Sequence, residues 1–180
     1  MTEKIKLLKP EHWQDYVLPF HYISHNYYDV EIKQNPDGFK VSFTKMPFDK
    51  PFEYGLNDDD KLFQSYWDDI KAWGIIEDDK LVAAIETAVE KWNNRLRVTE
   101  LWVDTSYQRK GIATALMDLA VKRAKEEKYR AVILETQTCN EAAIAFYLNY
   151  GFTLIGFDSC CYGNNDIQHK GVRIELGMML

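Results

Sequence analysis

The chain has 180 residues, 46% hydrophobic and 28% charged, which is enough apolar material for one core without metals or disulfides and too much for a disordered segment. Its 28 acidic residues outnumber 22 basic ones, and the net charge of −6 argues against a general nucleic-acid binder while suiting a cationic partner. Cys139, Cys160 and Cys161 are an odd count with two adjacent, so no disulfide framework is expected and a reducing cytoplasm is the natural compartment.

The first residues, Met1-Thr2-Glu3-Lys4-Ile5-Lys6, lack the apolar stretch of an export signal, and nowhere do about 18 apolar residues run together, so no membrane span is expected. Residues 5–8 read as a short strand, and Pro10 followed by Glu11 opens a segment that reads as helix until Pro19. Between 13 and 28 the chain is crowded with Trp, Tyr, Phe and His. His21 and His25 have the i, i+4 spacing of a helical metal pair, but only Asp15 and Asp29 and no cysteine lie near. No metal site is therefore expected, and an aromatic wall over a core or a substrate cleft is the better reading.

Residues 28–32 and 39–44 read as strands of a hairpin turned at Asn35-Pro36-Asp37-Gly38. The cluster Asp58, Asp59, Asp60 can cap a short helix with Leu62, Phe63, Tyr66 and Trp67 on one face. With Asp68 and Asp69 this run is either a solvated surface or an attractor of polycations. Residues 73–76 and 81–89 read as a second hairpin around Glu77-Asp78-Asp79-Lys80, and Asn93-Asn94 turns the chain into a third strand over 96–103. Strict alternation in that strand sets Val98, Glu100 and Trp102 against Thr99, Leu101 and Val103 on opposite faces. A carboxylate among apolar neighbours is costly to bury unpaired, so Glu100 is either salt-bridged or functional.

Residues 111–128 form the clearest helix, with Ile112, Ala115, Leu116 and Leu119 at helical spacing. The apolar run 131–136 then reads as a buried strand parallel to the one before the helix, which makes a βαβ unit. Asn140 or nearby Thr138 starts a shorter helix with Ala143, Ile144 and Tyr147 in register, stopped by Gly151. Residues 152–157 and 172–178 are the last strands, and without repeat or linker the chain reads as one domain over 1–180. At the head of the long helix, Gln108-Arg109-Lys110-Gly111-Ile112-Ala113 presents backbone N–H groups, the positive end of the helix dipole and two cationic side chains. From spacing alone it is either an anion site or an ordinary loop before a helix.

The motif Gln-x-x-Gly-x-Ala at 108–113, preceded by Glu-Leu-Trp-Val-Asp and followed by Asn140 and by Ala-x-x-Phe-Tyr-x-x-x-Gly-Phe at 143–152, resembles the GNAT superfamily of acetyl-CoA-dependent N-acetyltransferases. The resemblance implies an α/β fold with a mixed central sheet of about six to seven strands and flanking helices. Within the superfamily, the aromatic N-terminal extension, the Trp-Gly-Ile-Ile-Glu-Asp-Asp hairpin and Leu134-Glu135-Thr136-Gln137 look like streptothricin acetyltransferases, which acetylate a β-lysine amine of a cationic antibiotic and so confer resistance. Other amines remain open as acceptors, namely an aminoglycoside, a polyamine or a protein N-terminus, and so does a non-catalytic acyl-CoA sensor.

The resemblance further implies that the pyrophosphate of acetyl-CoA is held by Gln108, Arg109, Lys110, Gly111, Ile112, Ala113 and Thr114, and its pantetheine arm by the main chain of Leu101, Trp102 and Val103, with Asn140 further along. A backbone N–H near Trp102 or Val103 would polarise the thioester carbonyl. Tyr147 matches the position that binds the coenzyme and protonates the departing thiolate. Glu100, with Glu135 as its substitute, is the candidate general base, or else binds the substrate cation. Cys139 lies close to this region, but no histidine near it in sequence activates it, so direct attack by the amine is expected without a covalent enzyme intermediate. The expected partner is a cationic amine, with no nucleic acid, membrane or metal; exposed aromatics and the C-terminal strand leave a homodimer open.

Overall fold

In this computed structural model residues 4–55 and 60–180 are described. In chain order the elements are β1 (Ile5–Leu8), α1 (Pro10–Trp13), β2 (Tyr22–Asn35), β3 (Gly38–Tyr54), β4 (Lys71–Glu77), β5 (Lys80–Glu90), β6 (Arg95–Val103), α2 (Ile112–Glu126), β7 (Ala131–Gln137), α3 (Glu141–Tyr150), β8 (Thr153–Asp158) and β9 (Arg173–Met179). The chain divides into two compact units, one drawn from 1–21, 55–134 and 178–180, the other from 22–54 and 135–177.

In the first unit β1, β4, β5 and β6 are antiparallel neighbours in that order. The β4–β5 reversal uses Asp78 (φ 48°) and Asp79 (φ 60°), both left-handed, the geometry that suits the twist of a two-residue hairpin. Beside β6 lies β7 in parallel, in a register from Arg95↔Ala131 to Val98↔Leu134, as a helical crossover requires. That crossover is α2, which buries Ile112, Leu116, Met117, Ala120 and Ala124 along one stripe. A second apolar cluster gathers Leu8, Leu18, Leu62, Phe63, Ala72, Leu81, Ala84 and Trp102.

Neither expected helix of this unit forms beyond a single turn, for one reason. The N–H of Asp15 donates to Leu62 O (3.0 Å), that of Leu62 to Tyr16 O (3.0 Å) and that of Leu18 to Asp60 O (2.8 Å). Backbone groups that a helix would use internally are spent across the chain, and Leu18, Leu62 and Phe63 are buried in return. The helix expected from Pro10 to Pro19 is thus a single turn, Lys61 forms an isolated bridge with Val17, and residues 62–69 run mostly through turns and bends. Asp58 and Asp59 of the expected cap lie outside the described residues.

In the second unit β2 and β3 form one long hairpin, from Tyr22↔Tyr54 to Asn35↔Gly38. Its turn is tightened by Asn35 Oδ1, which accepts from Asp37 N at 2.9 Å. Both strands run well past 28–32 and 39–44, because aromatic pairs across the two strands extend the ladder: Tyr22 stacks on Tyr54 (4.9 Å) and the Tyr27 ring lies 4.7 Å from that of Phe48. His25 accordingly sits in a strand, where the helical spacing to His21 has no meaning. The unit also holds α3 and the antiparallel pair β8–β9. Counting β9 and β8, the strands of the mixed sheet number seven. Among the described residues no helix is long and apolar enough to cross a membrane.

Candidate active site

The turn at residues 108–111 is bent by two left-handed residues, Arg109 (φ 59°) and Gly111 (φ 77°). Gly111 is the N-cap of α2 and has no side chain to cap the first N–H groups of the helix, where the positive end of the dipole lies. A Cβ built on Gly111 would meet no heavy atom within 4 Å, so the space beside this glycine is open. That is the geometry an anion needs. Arg109 is exposed, whereas Lys110 donates to Ser106 O (2.8 Å) and lies 4.9 Å from the Tyr107 ring. Gln108 Nε2 donates to Val103 O at 3.1 Å and ties the turn to the end of β6.

Leu101, Trp102 and Val103 precede this turn, opposite Ile85, Ala84 and Ala83 of β5. The Trp102 ring is a core group whose Nε1 donates to Pro19 O (3.3 Å), which leaves its main chain for any ligand role. Just upstream the strict alternation fails. Thr87 faces Val98 and Glu86 faces Glu100, so Thr99 is an extra residue, a β-bulge. Its hydroxyl donates to Glu86 Oε1 at 2.8 Å, which puts Thr99 beside Glu100 on the face of Glu86 rather than opposite to it.

Glu86 is the residue that sequence reasoning missed. It is fully buried, and Phe63 N donates to its Oε2 at 2.6 Å. Burial pushes its carboxyl above the usual range, against the bonds from Phe63 and Thr99 that favour the charged form. The signal was present: Glu86 is the one charged residue inside the apolar run 81–89, and the reasoning applied to Glu100 fits it better. Glu100 itself is partly exposed.

In the second unit Asn140 caps α3, its Oδ1 accepting from Ala143 N at 3.2 Å. Two turns on, Tyr147 is buried with its ring edge-on to Phe146 (5.4 Å) and Phe152 (6.0 Å). Glu135 Oε2 lies 3.2 Å from Arg173 Nε, an ion pair in which that Nε makes no hydrogen bond. Cys139 is buried and burial raises its thiol pKa, which disfavours the thiolate that a nucleophile requires.

The model of the acetyltransferase (GNAT) family matches residues 39–152. The chain belongs to that family. It is 31% identical over 143 residues to the streptothricin acetyltransferase of Escherichia coli, covering 79% of this chain and 76% of that protein. Among solved structures it is similar to nourseothricin acetyltransferase (TM-score 0.77, 24% identity, 97% of this chain and 96% of that one). A Bacillus anthracis strain Ames protein solved in complex with acetyl coenzyme A aligns with TM-score 0.72 and 20% identity over 98% of each chain. The GNAT fold expected from the motif is therefore the fold observed, and the chain is an N-acetyltransferase of this family.

Proposed function

We propose that the enzyme transfers the acetyl group of acetyl-CoA to a primary amine of a cationic small molecule, the β-lysine amine of streptothricin, within one catalytic domain. The observation that carries the coenzyme half is the α2 start behind the left-handed Gly111, which gives the helix no side-chain cap and has open space beside it. The likeness to the Escherichia coli enzyme supports the acceptor half, and the net charge of −6 agrees with a cationic acceptor.

Acetyl-CoA brings the activated acetyl group; the chain's own residues bind it and move protons. The N–H groups at the head of α2, with the Arg109 guanidinium, take the pyrophosphate. The main chain of Leu101, Trp102 and Val103 takes the pantetheine as an added strand, and Asn140 contacts it further along. An amine with a pKa of about 10.4 is protonated at neutral pH, so a proton must leave it before attack. Glu100 accepts that proton directly or through water, or holds the ammonium until it is lost. Glu135, which shares Arg173 with Glu175, is the substitute. Tyr147 Oη donates a proton to the departing thiolate, its ring fixed by Phe146 and Phe152.

The test is free-thiol release from acetyl-CoA across a panel of amines: streptothricin, an aminoglycoside, a polyamine and a peptide N-terminus. Fastest release with streptothricin is expected. Faster release with another class reassigns the acceptor, and none with any amine sinks the reading.

A further inference from the structure

We propose that Thr99 and Glu86 are a positioning pair for acetyl transfer: the buried Glu86 carboxyl clamps the β6 bulge and thereby aims Glu100. The inference rests on the reading of Glu100 as the proton acceptor. Three observations carry it. The bulge is located at one residue, Thr99, immediately before Glu100. The clamp has two jaws from distant parts of the chain, Thr99 Oγ1 at 2.8 Å and Phe63 N at 2.6 Å. Its other end is itself held, because Phe63 is left-handed (φ 57°) and its carbonyl accepts from Gln14 Nε2.

A bulge without such a tie would be free to slide by a residue, and a one-residue slip turns every side chain beyond it to the other face. Here a slip would carry Glu100 away from the face of Glu86 and Trp102. A fully buried carboxyl with no cation beside it among the described residues is an expensive way to make a core, and a hydrophobic residue would pack there at lower cost. The geometry it imposes on the bulge accounts for a carboxyl at this place in the core.

The experiment is a double-mutant cycle on kcat, measured by thiol release with streptothricin or with whichever amine of the panel above supports the fastest release. Glu100→Gln should lose roughly 100-fold. Thr99→Val, which keeps the side-chain shape and removes the hydroxyl, should lose about tenfold, and Thr99→Ser should restore activity to within about twofold. In the Glu100→Gln background Thr99→Val should cost nothing further, since the residue it aims is gone. Thr99→Ala serves if Thr99→Val does not fold, and acetyl-CoA titration of each variant establishes folding. Losses that multiply, or no rescue by serine, overturn the positioning role while leaving Glu100 in place. Glu100→Gln at wild-type speed removes Glu100 from the mechanism and this inference with it.

Discussion

The Thr99 hydroxyl donates to Glu86 Oε1 at 2.8 Å across the β5–β6 ladder, and this bond joins a bulge to a carboxyl with no exposure to solvent. The pH dependence of stability follows. Burial holds the Glu86 pKa above the usual 4.5, so the folded state keeps its proton longer than the unfolded state does. Stability from this group is full below about 4.5 and is lost as pH rises through the folded value. Glu86→Gln retains an acceptor for Phe63 N–H and a donor for the Thr99 hydroxyl without the charge. Its Tm should therefore exceed wild type at pH 7, by a gap that closes on acidification below about 4.5. A gap that is constant with pH would show that Glu86 is ionised without penalty.

Glu90 runs the other way. Despite burial, bonds from Asn93, Arg95 and Arg97 hold its pKa below the usual value. It contributes stability above about pH 4.5 that is lost as pH falls through the folded value. Glu90→Gln should lower Tm at pH 7 and approach wild type in acid; thermal melts over the same pH series read both groups.

Tyr147→Phe keeps the ring contacts with Phe146 and Phe152 and removes only the hydroxyl. Acetyl-CoA affinity should hold while kcat falls by about 100-fold. Turnover at the wild-type rate would remove Tyr147 from the chemistry.

At Gly111 any side chain meets open space but must adopt φ 77°, which costs a β-branched residue about 1–2 kcal/mol. Gly111→Val also puts methyl groups where the pyrophosphate is proposed to lie. Calorimetric titration should show acetyl-CoA binding weakened about tenfold or more. Unchanged affinity would count against the phosphate-cradle reading.

Gly74 on β4 is a packing glycine. A Cβ there would sit 2.7 Å from Leu81 Cδ1 and 2.8 Å from the backbone oxygen of Ala83. Gly74→Ala should cost roughly 1–3 kcal/mol, because the ladder oxygen cannot yield. A denaturant midpoint equal to wild type would show that β4 shifts freely.

The elements legible in the sequence were those whose signals are local. The α2 stripe, the Asn140 cap, the Asp78-Asp79 and Asn35-to-Gly38 turns and the parallel β7 are written in periodicity, capping and turn chemistry within a few residues. The Gln-x-x-Gly-x-Ala turn was legible for the same reason, and Gly111 is left-handed at the head of α2 as such a turn requires.

What only the tertiary structure decided depends on partners far along the chain. Residues 10–19 and 61–69 carried apolar spacing compatible with helices, yet they bond to each other across more than forty positions and neither becomes one beyond a single turn. The bulge at Thr99 is a property of two strands in register, so alternation along β6 alone set Thr99 and Glu100 on opposite faces. The burial of Glu86 likewise requires Phe63, which is 23 residues away. By itself the sequence determined the turn at Gly111, the helix behind it and the identity of the residues around them. The fold decided which carboxylate is buried and which is presented, because burial and register are relations between segments that no single segment contains.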